Sequence, residues 1–308
     1  MTPHARAQWQ IHFCVVLWGF TAILGRAITL SAISLVWWRM LMVTAALLLV
    51  PRVWRGLRTL TPRLFLIYAG IGIVVSLHWL TFYGAIKLAN ASVAATCIAL
   101  APVFLALVEP WIARRPFDVR ELLLGVAVVP GVALVVGGVP GSMRLGIAVG
   151  VVSALFVACF GALNKRMVER ADPLTVTCVE LGTGALFLTA ITPLLPHAGA
   201  LYPLPDVHDA ILLLTLALAC TLLPFALSLV ALRHLSAFNA QLAVNLEPVY
   251  AIVLAILLLG EQRQLDGWFY LGVVVILGAV FLHPALARRP IARPPPEILG
   301  TAESKALD

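Results

Sequence analysis

The sequence predicts an all-α membrane protein with ten transmembrane helices in two inverted five-helix repeats and both termini on the cytoplasmic side (N-in/C-in). Three observations predict it. Of 308 residues, 62% are hydrophobic and 11% charged, with a mean hydropathy of +1.02, where a soluble domain carries about 25% charged residues. Two polar-interrupted apolar stretches, 89–110 and 239–260, align without a gap at a shift of 146. That shift puts Pro102 on Pro248, Leu100 on Leu246, Val103 on Val249, Phe104 on Tyr250 and Lys87 on Arg233. Finally, with an internal N-terminus only Lys87, Arg144 and Arg263 of the 21 cations fall outside, and Arg26 and Arg39 lie within spans, leaving 16 inside. Such a bias is what the positive-inside rule describes.

Runs of about 20 apolar residues cross a bilayer as helices, and ten such runs follow in order. The first, 10–28, carries Trp18 and ends near Arg26; the second, 33–51, carries Arg39 and stops at a cluster of arginines. The third, 64–86, contains the run SLHWLTFYG with His78, Trp79 and Tyr83. Pro102 interrupts the fourth, 89–112, and Gly125, Gly131 and Gly137 punctuate the fifth, 120–138. The sixth, 145–164, has Gly146 and Gly150 at the spacing that lets helices approach closely. The seventh, 173–195, holds Glu180 and is expected to break at Gly182 and Gly184; the eighth is 209–232. The ninth, 236–259, carries Asn239, Gln241, Asn245, Glu247 and Pro248, and the tenth is 266–284. Residues 285–308, rich in proline, read as a disordered tail. Five spans per half is an odd number, so the second half must enter the membrane from the opposite side.

The ninth run is the most informative. A proline within a helix frees the carbonyl four residues back, and in hydrocarbon freed carbonyls and amide side chains cost several kcal/mol. This segment is therefore expected to face other helices or a water-filled cavity. Interrupted helices at matching places in two halves point to a binding site at a carrier's midplane. Glu247, an ionisable group near mid-span, is the sharpest candidate for binding a substrate amine or carrying a proton; the alternative is a neutral structural acid. Asn245 and Glu247 are two residues apart, about 200° around a helix, whereas Tyr250 lies near the Glu247 face. His78 either titrates or bonds a neighbouring helix. Trp79 and Tyr83 share a face and either line a pocket or pack. Arg26 and Arg39 either snorkel to the outer interface or offer a cationic patch to a carboxylate. Glu180 sits about two turns in from the cytoplasm, as a gate or a structural partner.

The charge of +7 is not a nucleic-acid footprint, because the cations cluster at segment ends. Five cysteines, all within apolar runs, show no metal or redox spacing. The first apolar run continues into a full span without a cleavage pattern, so no signal peptide is expected. The sequence has no GxSxG, HExxH, Walker or GxGxxG motif, so neither an enzyme nor a cofactor is expected.

Three stretches carry a resemblance: LWGFTAILGRAITLSAISLVWWRMLM, LHWLTFYGAIKLANASVAATCIALAPVFLALVEP, and NLEPVYAIVLAILLLGEQRQLDGWFYLGVVVILGAVFL. The sequence resembles the EamA-type carriers of the drug/metabolite transporter superfamily over about 10–284, with Glu247-Pro248 and Gly260-Glu261 the most specific positions. The resemblance implies one repeat over 1–139, a second over 140–284, and a cytoplasmic tail at 285–308. It implies alternating access around a central cavity that includes Trp18, His78, Trp79, Tyr83, Asn245, Glu247 and Tyr250, with kinks at Pro102 and Pro248 and coupling or gating at Arg26, Arg39 or Glu180. The expected substrate is a small organic metabolite moved across the cytoplasmic (inner) membrane, amino-acid export first, with possible proton coupling at Glu247 or His78. A nucleoside, a nucleotide sugar or a cationic drug is the alternative, ahead of a membrane enzyme or a scaffold. The lipid bilayer is the other expected partner, and the sequence leaves monomer and dimer open.

Overall fold

A computed structural model of the chain describes residues 2–113, 117, 119–167, 169–195, 200–235, 240, 243–244 and 246–287. Among them there are helices and no strands. In order they are α1 (Pro3–Ala27), α2 (Ala32–Leu48), α3 (Pro51–Thr59), α4 (Pro62–Leu88), α5 (Ala91–Ile98), α6 (Ala101–Ala113), α7 (Val119–Gly137), α8 (Arg144–Met167), α9 (Pro173–Ile191), α10 (Val207–Ala217), α11 (Leu223–Leu232), α12 (Glu247–Leu254) and α13 (Gly267–Ala287). Several starts are written in the sequence. Thr2, Thr61 and Asp172 each cap a helix whose next residue is proline, which combines a side-chain acceptor with a φ already set for the first turn.

Six helical segments, counting α5–α6, α8 with its leading turn, α9 with its trailing turn and α10–α11 as one each, are long and apolar enough to cross a membrane. A seventh results if α2 and α3, which meet at 92°, form one bent span, and three shorter apolar helices complete the bundle. The chain is a multi-pass membrane protein. The second predicted run ends early: α2 stops at Leu48, and α3 turns away with Arg52, Arg55 and Arg58 on a short amphipathic helix. An amphipathic helix with a basic face suits the membrane interface, which the apolar-run criterion could not detect. Pro102 marks a real break, since α5 ends at Ile98 and α6 begins at Ala101. Pro248 stands in the first turn of α12, whose described start is Glu247. Two π-helical turns, Leu218–Leu222 and Ala255–Leu259, were not foreseen. Asn239, Gln241 and Asn245, and residues 288–308 of the expected tail, lie outside the described residues.

Gly182 and Gly184 do not break the seventh span, because α9 is continuous through them. They are points of contact. A β-carbon on Gly184 would meet the Gly72 carbonyl at 2.8 Å and Met40 Cε at 2.7 Å, and one on Gly72 would fall on the Glu180 carbonyl and Thr183 Oγ1. Gly146 and Gly150 likewise sit against Ala89 and Cys97. Overpacking such a contact costs about 1–3 kcal/mol. Gly72→Ala is therefore expected to lower the thermal unfolding midpoint in detergent, whereas Gly70→Ala, with nothing within 4 Å of its β-carbon, should leave it level or raise it. Equal midpoints for the two variants would contradict the α4–α9 interlock.

The helix pairings come in matched sets. α4 packs on α8 as α1 packs on α11; α4 packs on α9 as α2 packs on α10; α8 packs on α5 as α1 packs on α12. The pairs α2–α9, α7–α13 and α5–α12 complete the set. Each helix of the first half thus buries itself mainly against the second.

Candidate functional site

The central cavity is lined by residues of α1, α2, α4, α5, α6, α8, α11 and α12, with an empty volume of about 950 Å³ that includes open space leading out of it. Trp18, His78, Trp79 and Glu247 line it, as does Arg39. Four of the predicted site residues are therefore brought together, with one of the two arginines.

Arg39 does not snorkel. It is 3% exposed and turned into the bundle. Its Nε donates to Thr221 Oγ1 at 2.5 Å and its Nη1 to the Tyr83 hydroxyl at 2.8 Å. The guanidinium carbon lies 3.8 Å from the centre of the Trp79 ring, a cation–π contact that compensates part of the lost hydration. Arginine has five N–H donors, and Nη2 has no hydrogen-bond partner among the described residues. A buried guanidinium with a spare donor edge on a cavity is suited to a carboxylate. Tyr83 is fully buried beneath Arg39 and supports it without lining the cavity.

Glu247 faces the same space from the first turn of α12, where the helix dipole favours an anion. It shares the cavity wall with Arg39, and no described residue hydrogen-bonds its carboxylate. His78 reaches α8: its Nδ1 lies 2.9 Å from Ser153 Oγ and 3.1 Å from the Ser153 carbonyl. A carbonyl only accepts, and Ser153 Oγ spends its own proton on the His78 carbonyl at 3.0 Å, so Nδ1 carries the hydrogen. Nε2 is then the acceptor left for the cavity. His78 is thus an interhelical donor and a wall residue at once.

Other expectations are corrected. Tyr250 is 41% exposed and outside the cavity, because α12 is pressed onto α1 at Gly19, where a β-carbon would stand 2.9 Å from Tyr250 Cβ. Arg26 is exposed at the end of α1, away from the cavity. Glu180 is fully buried outside the cavity wall. Asn245 lies outside the described residues. Three residues were missed: Thr221, Phe160 and Phe225. The π turn presents Thr221 to Arg39 while its hydroxyl donates to the Leu216 carbonyl at 2.6 Å; Pro224 close behind it was the available signal. Phe225 meets Phe160 at 5.5 Å and Trp79 at 6.3 Å, and nothing in the apolar runs around them singles them out.

At the end of the bundle that holds the start of α5, the Glu261 and Asp209 carboxylates join the second half to the first. Glu261 accepts from the Ala91 and Ser92 backbone N–H groups at 3.0 and 2.9 Å and from Ser92 Oγ at 2.7 Å. Asp209 accepts from the Thr29 N–H at 2.9 Å and from its hydroxyl at 2.7 Å; within the first half, the Lys87 ammonium donates to the Ile28 carbonyl beside it. The cavity instead extends toward Ile11, Leu105 and Leu232, near the end that holds the start of α1.

A family model, the EamA-like transporter family, matches residues 8–137 and again 144–283. The chain belongs to this family. Family membership sets it among transporters rather than enzymes. It is 27% identical over 224 residues to an uncharacterized transporter of Bacillus subtilis, covering 71% of this chain and 68% of that one. It is 31% identical over 142 residues to one of Methanothermobacter thermautotrophicus, covering 43% of this chain and 41% of the relative. A match to one of Clostridium kluyveri covers 49% of that relative's length at 25% identity. A solved crystal structure, 15% identical, superposes over 92% of this chain and 98% of its own with a TM-score of 0.64, a likeness of fold.

Proposed function

We propose that this EamA-family chain is a secondary transporter that exports amino acids or related small metabolites across the cytoplasmic (inner) membrane by alternating access. One observation carries the substrate class: a single cavity offers an acid, Glu247, and a cation, Arg39, between walls of Trp18, Trp79 and Phe160. An α-amino acid presents the complementary pair, an ammonium and a carboxylate, with an apolar side chain for the aromatic walls. The two repeats, 1–139 and 140–284, are inverted, giving ten crossings with the termini and the 285–308 tail inside. The double family match and the matched helix pairings support this arrangement. Its orientation is supported by the 16 cations on the side of the N-terminus. The cavity then opens to the cytoplasm, with the Glu261 and Asp209 contacts sealing the outer end. Rocking of the halves would break those contacts as it closes the inner end.

The test is flux of labelled amino acids in proteoliposomes, with and without a pH difference, against Glu247→Gln. Loss of one charge-assisted contact worth about 1.5–3 kcal/mol predicts flux of the transported compound falling by roughly 10- to 100-fold. Flux untouched by the substitution would remove Glu247 from the site. Absence of flux for every amino acid would overturn the substrate class in favour of nucleosides, sugar derivatives or cationic drugs.

A further inference from the structure

Outside the cavity, α8 and α9 hold a second polar pair. Glu180 is 0% exposed and Asn164 is 1% exposed. Asn164 Nδ2 donates to Glu180 Oε2 at a long 3.5 Å. Glu180 Oε1 and Asn164 Oδ1 are both buried and both lack a hydrogen-bond partner. Two buried acceptors without a donor are unfavourable, and an ionised carboxylate in such a place is more so. One proton on Glu180 Oε1 satisfies both: the acid O–H donates to Asn164 Oδ1 while the amide N–H donates to Oε2, closing a two-bond acid–amide ring.

Among the described residues no further hydrogen bond reaches the Glu180 or Asn164 side chain. From α4 comes Tyr68, whose hydroxyl donates to the Met167 carbonyl at 3.0 Å. Arg52 of α3 pairs with Asp172 at 2.6 Å. Beyond the end of α11, Arg233 donates to the Ala171 carbonyl at 2.9 Å, and Lys165 of α8 donates to the Leu232 carbonyl at 2.6 Å. From α2, Thr44 bonds the Met40 carbonyl at 2.8 Å, and Arg39 bonds Thr221 and Tyr83 and lines the substrate cavity instead. Cys178 shares α9 with Glu180 and is itself buried. Gly72 closes the space by packing on the Glu180 backbone.

We propose that Glu180 and Asn164 form a proton-binding site, separate from the substrate cavity, with the proton on Glu180 in the conformation described here. Its role in coupling rests on the carrier reading above: a group that holds a proton with the cavity open on one side, and releases it when α8 and α9 separate, links flux to a proton gradient.

The test has two parts on the full reconstituted chain. Infrared spectroscopy at neutral pH should show the carbonyl stretch of a protonated carboxylic acid that disappears in Glu180→Gln and shifts in frequency in Glu180→Asp. A spectrum unchanged by both substitutions overturns the proposal, as does a band that added sodium removes, which would make the ligand a cation. For coupled flux, a pH difference of one unit drives about tenfold accumulation per proton carried, and Glu180→Gln should abolish that response. A response preserved in Glu180→Gln overturns the coupling role. If wild-type protein moves no probe, the carrier reading fails, and the spectrum still decides the proton site.

Discussion

Arg39→Gln is expected to reduce transport of a carboxylate-bearing substrate by about 100-fold, the loss of roughly 3 kcal/mol of charge-assisted hydrogen bonding. The guanidinium has a fixed geometry here: Thr221 and Tyr83 hold one side and Trp79 the face, so the remaining edge is aimed at the cavity. Arg39→Lys keeps the charge but cannot hold Thr221 and Tyr83 and still present a fork, so it should recover only a small part of the flux. Removing the cation also leaves Glu247 without its opposing charge, which lowers stability. The double variant Arg39→Gln/Glu247→Gln should therefore unfold at a higher temperature than Arg39→Gln alone and still fail to transport. Flux near wild type in Arg39→Gln would show that the cation belongs to the scaffold. The measurement is initial-rate flux in proteoliposomes, with the unfolding midpoint taken on the same preparations.

Glu261→Ala is expected to be the most destabilising change at the start of α5. Glu261 is 1% exposed and accepts three hydrogen bonds at the start of α5. Asn90 caps the next amide, that of Val93, at 2.9 Å, so the first three N–H groups of the helix are satisfied, as a buried helix start requires. Truncation strips two buried amides and one hydroxyl of their acceptor at about 1–3 kcal/mol each, a loss of at least about 3 kcal/mol. Denaturant titration in mixed micelles should show it, with Glu261→Gln in between because its amide oxygen can still accept. Equal stability of all three proteins would mean that water replaces the carboxylate.

The all-helical, membrane-spanning character was legible in the length of the apolar runs, and the break between α5 and α6 in Pro102. Residues that had to be polar within hydrocarbon, Glu247, His78 and Arg39, were legible because hydrocarbon makes such groups rare. The partners were not. Thr221 reaches Arg39 only through a π turn, and Ser153 reaches His78 from a helix 75 positions away. The direction in which a residue points was equally hidden. Tyr250 looked like a neighbour of Glu247 by helical spacing, but close contact of α12 with Gly19 sends it outward. Arg39 could be read toward either interface or interior until the Trp79 face was in place.

The cap on α5 bears on how the protein is made. Ala91 and its acceptor Glu261 are 170 residues apart, and synthesis at about 5–20 residues per second places roughly 10–30 s between them. Thr221 follows Arg39 by 182 residues. During that interval a newly inserted first half holds an arginine and a helix start whose final partners do not yet exist. Those groups must stay near water, lipid headgroups or the insertion machinery until the second half arrives. Assembly is thus completed from the far end of the chain, and a polypeptide truncated before Glu261 would carry its defect in the first half, at α5.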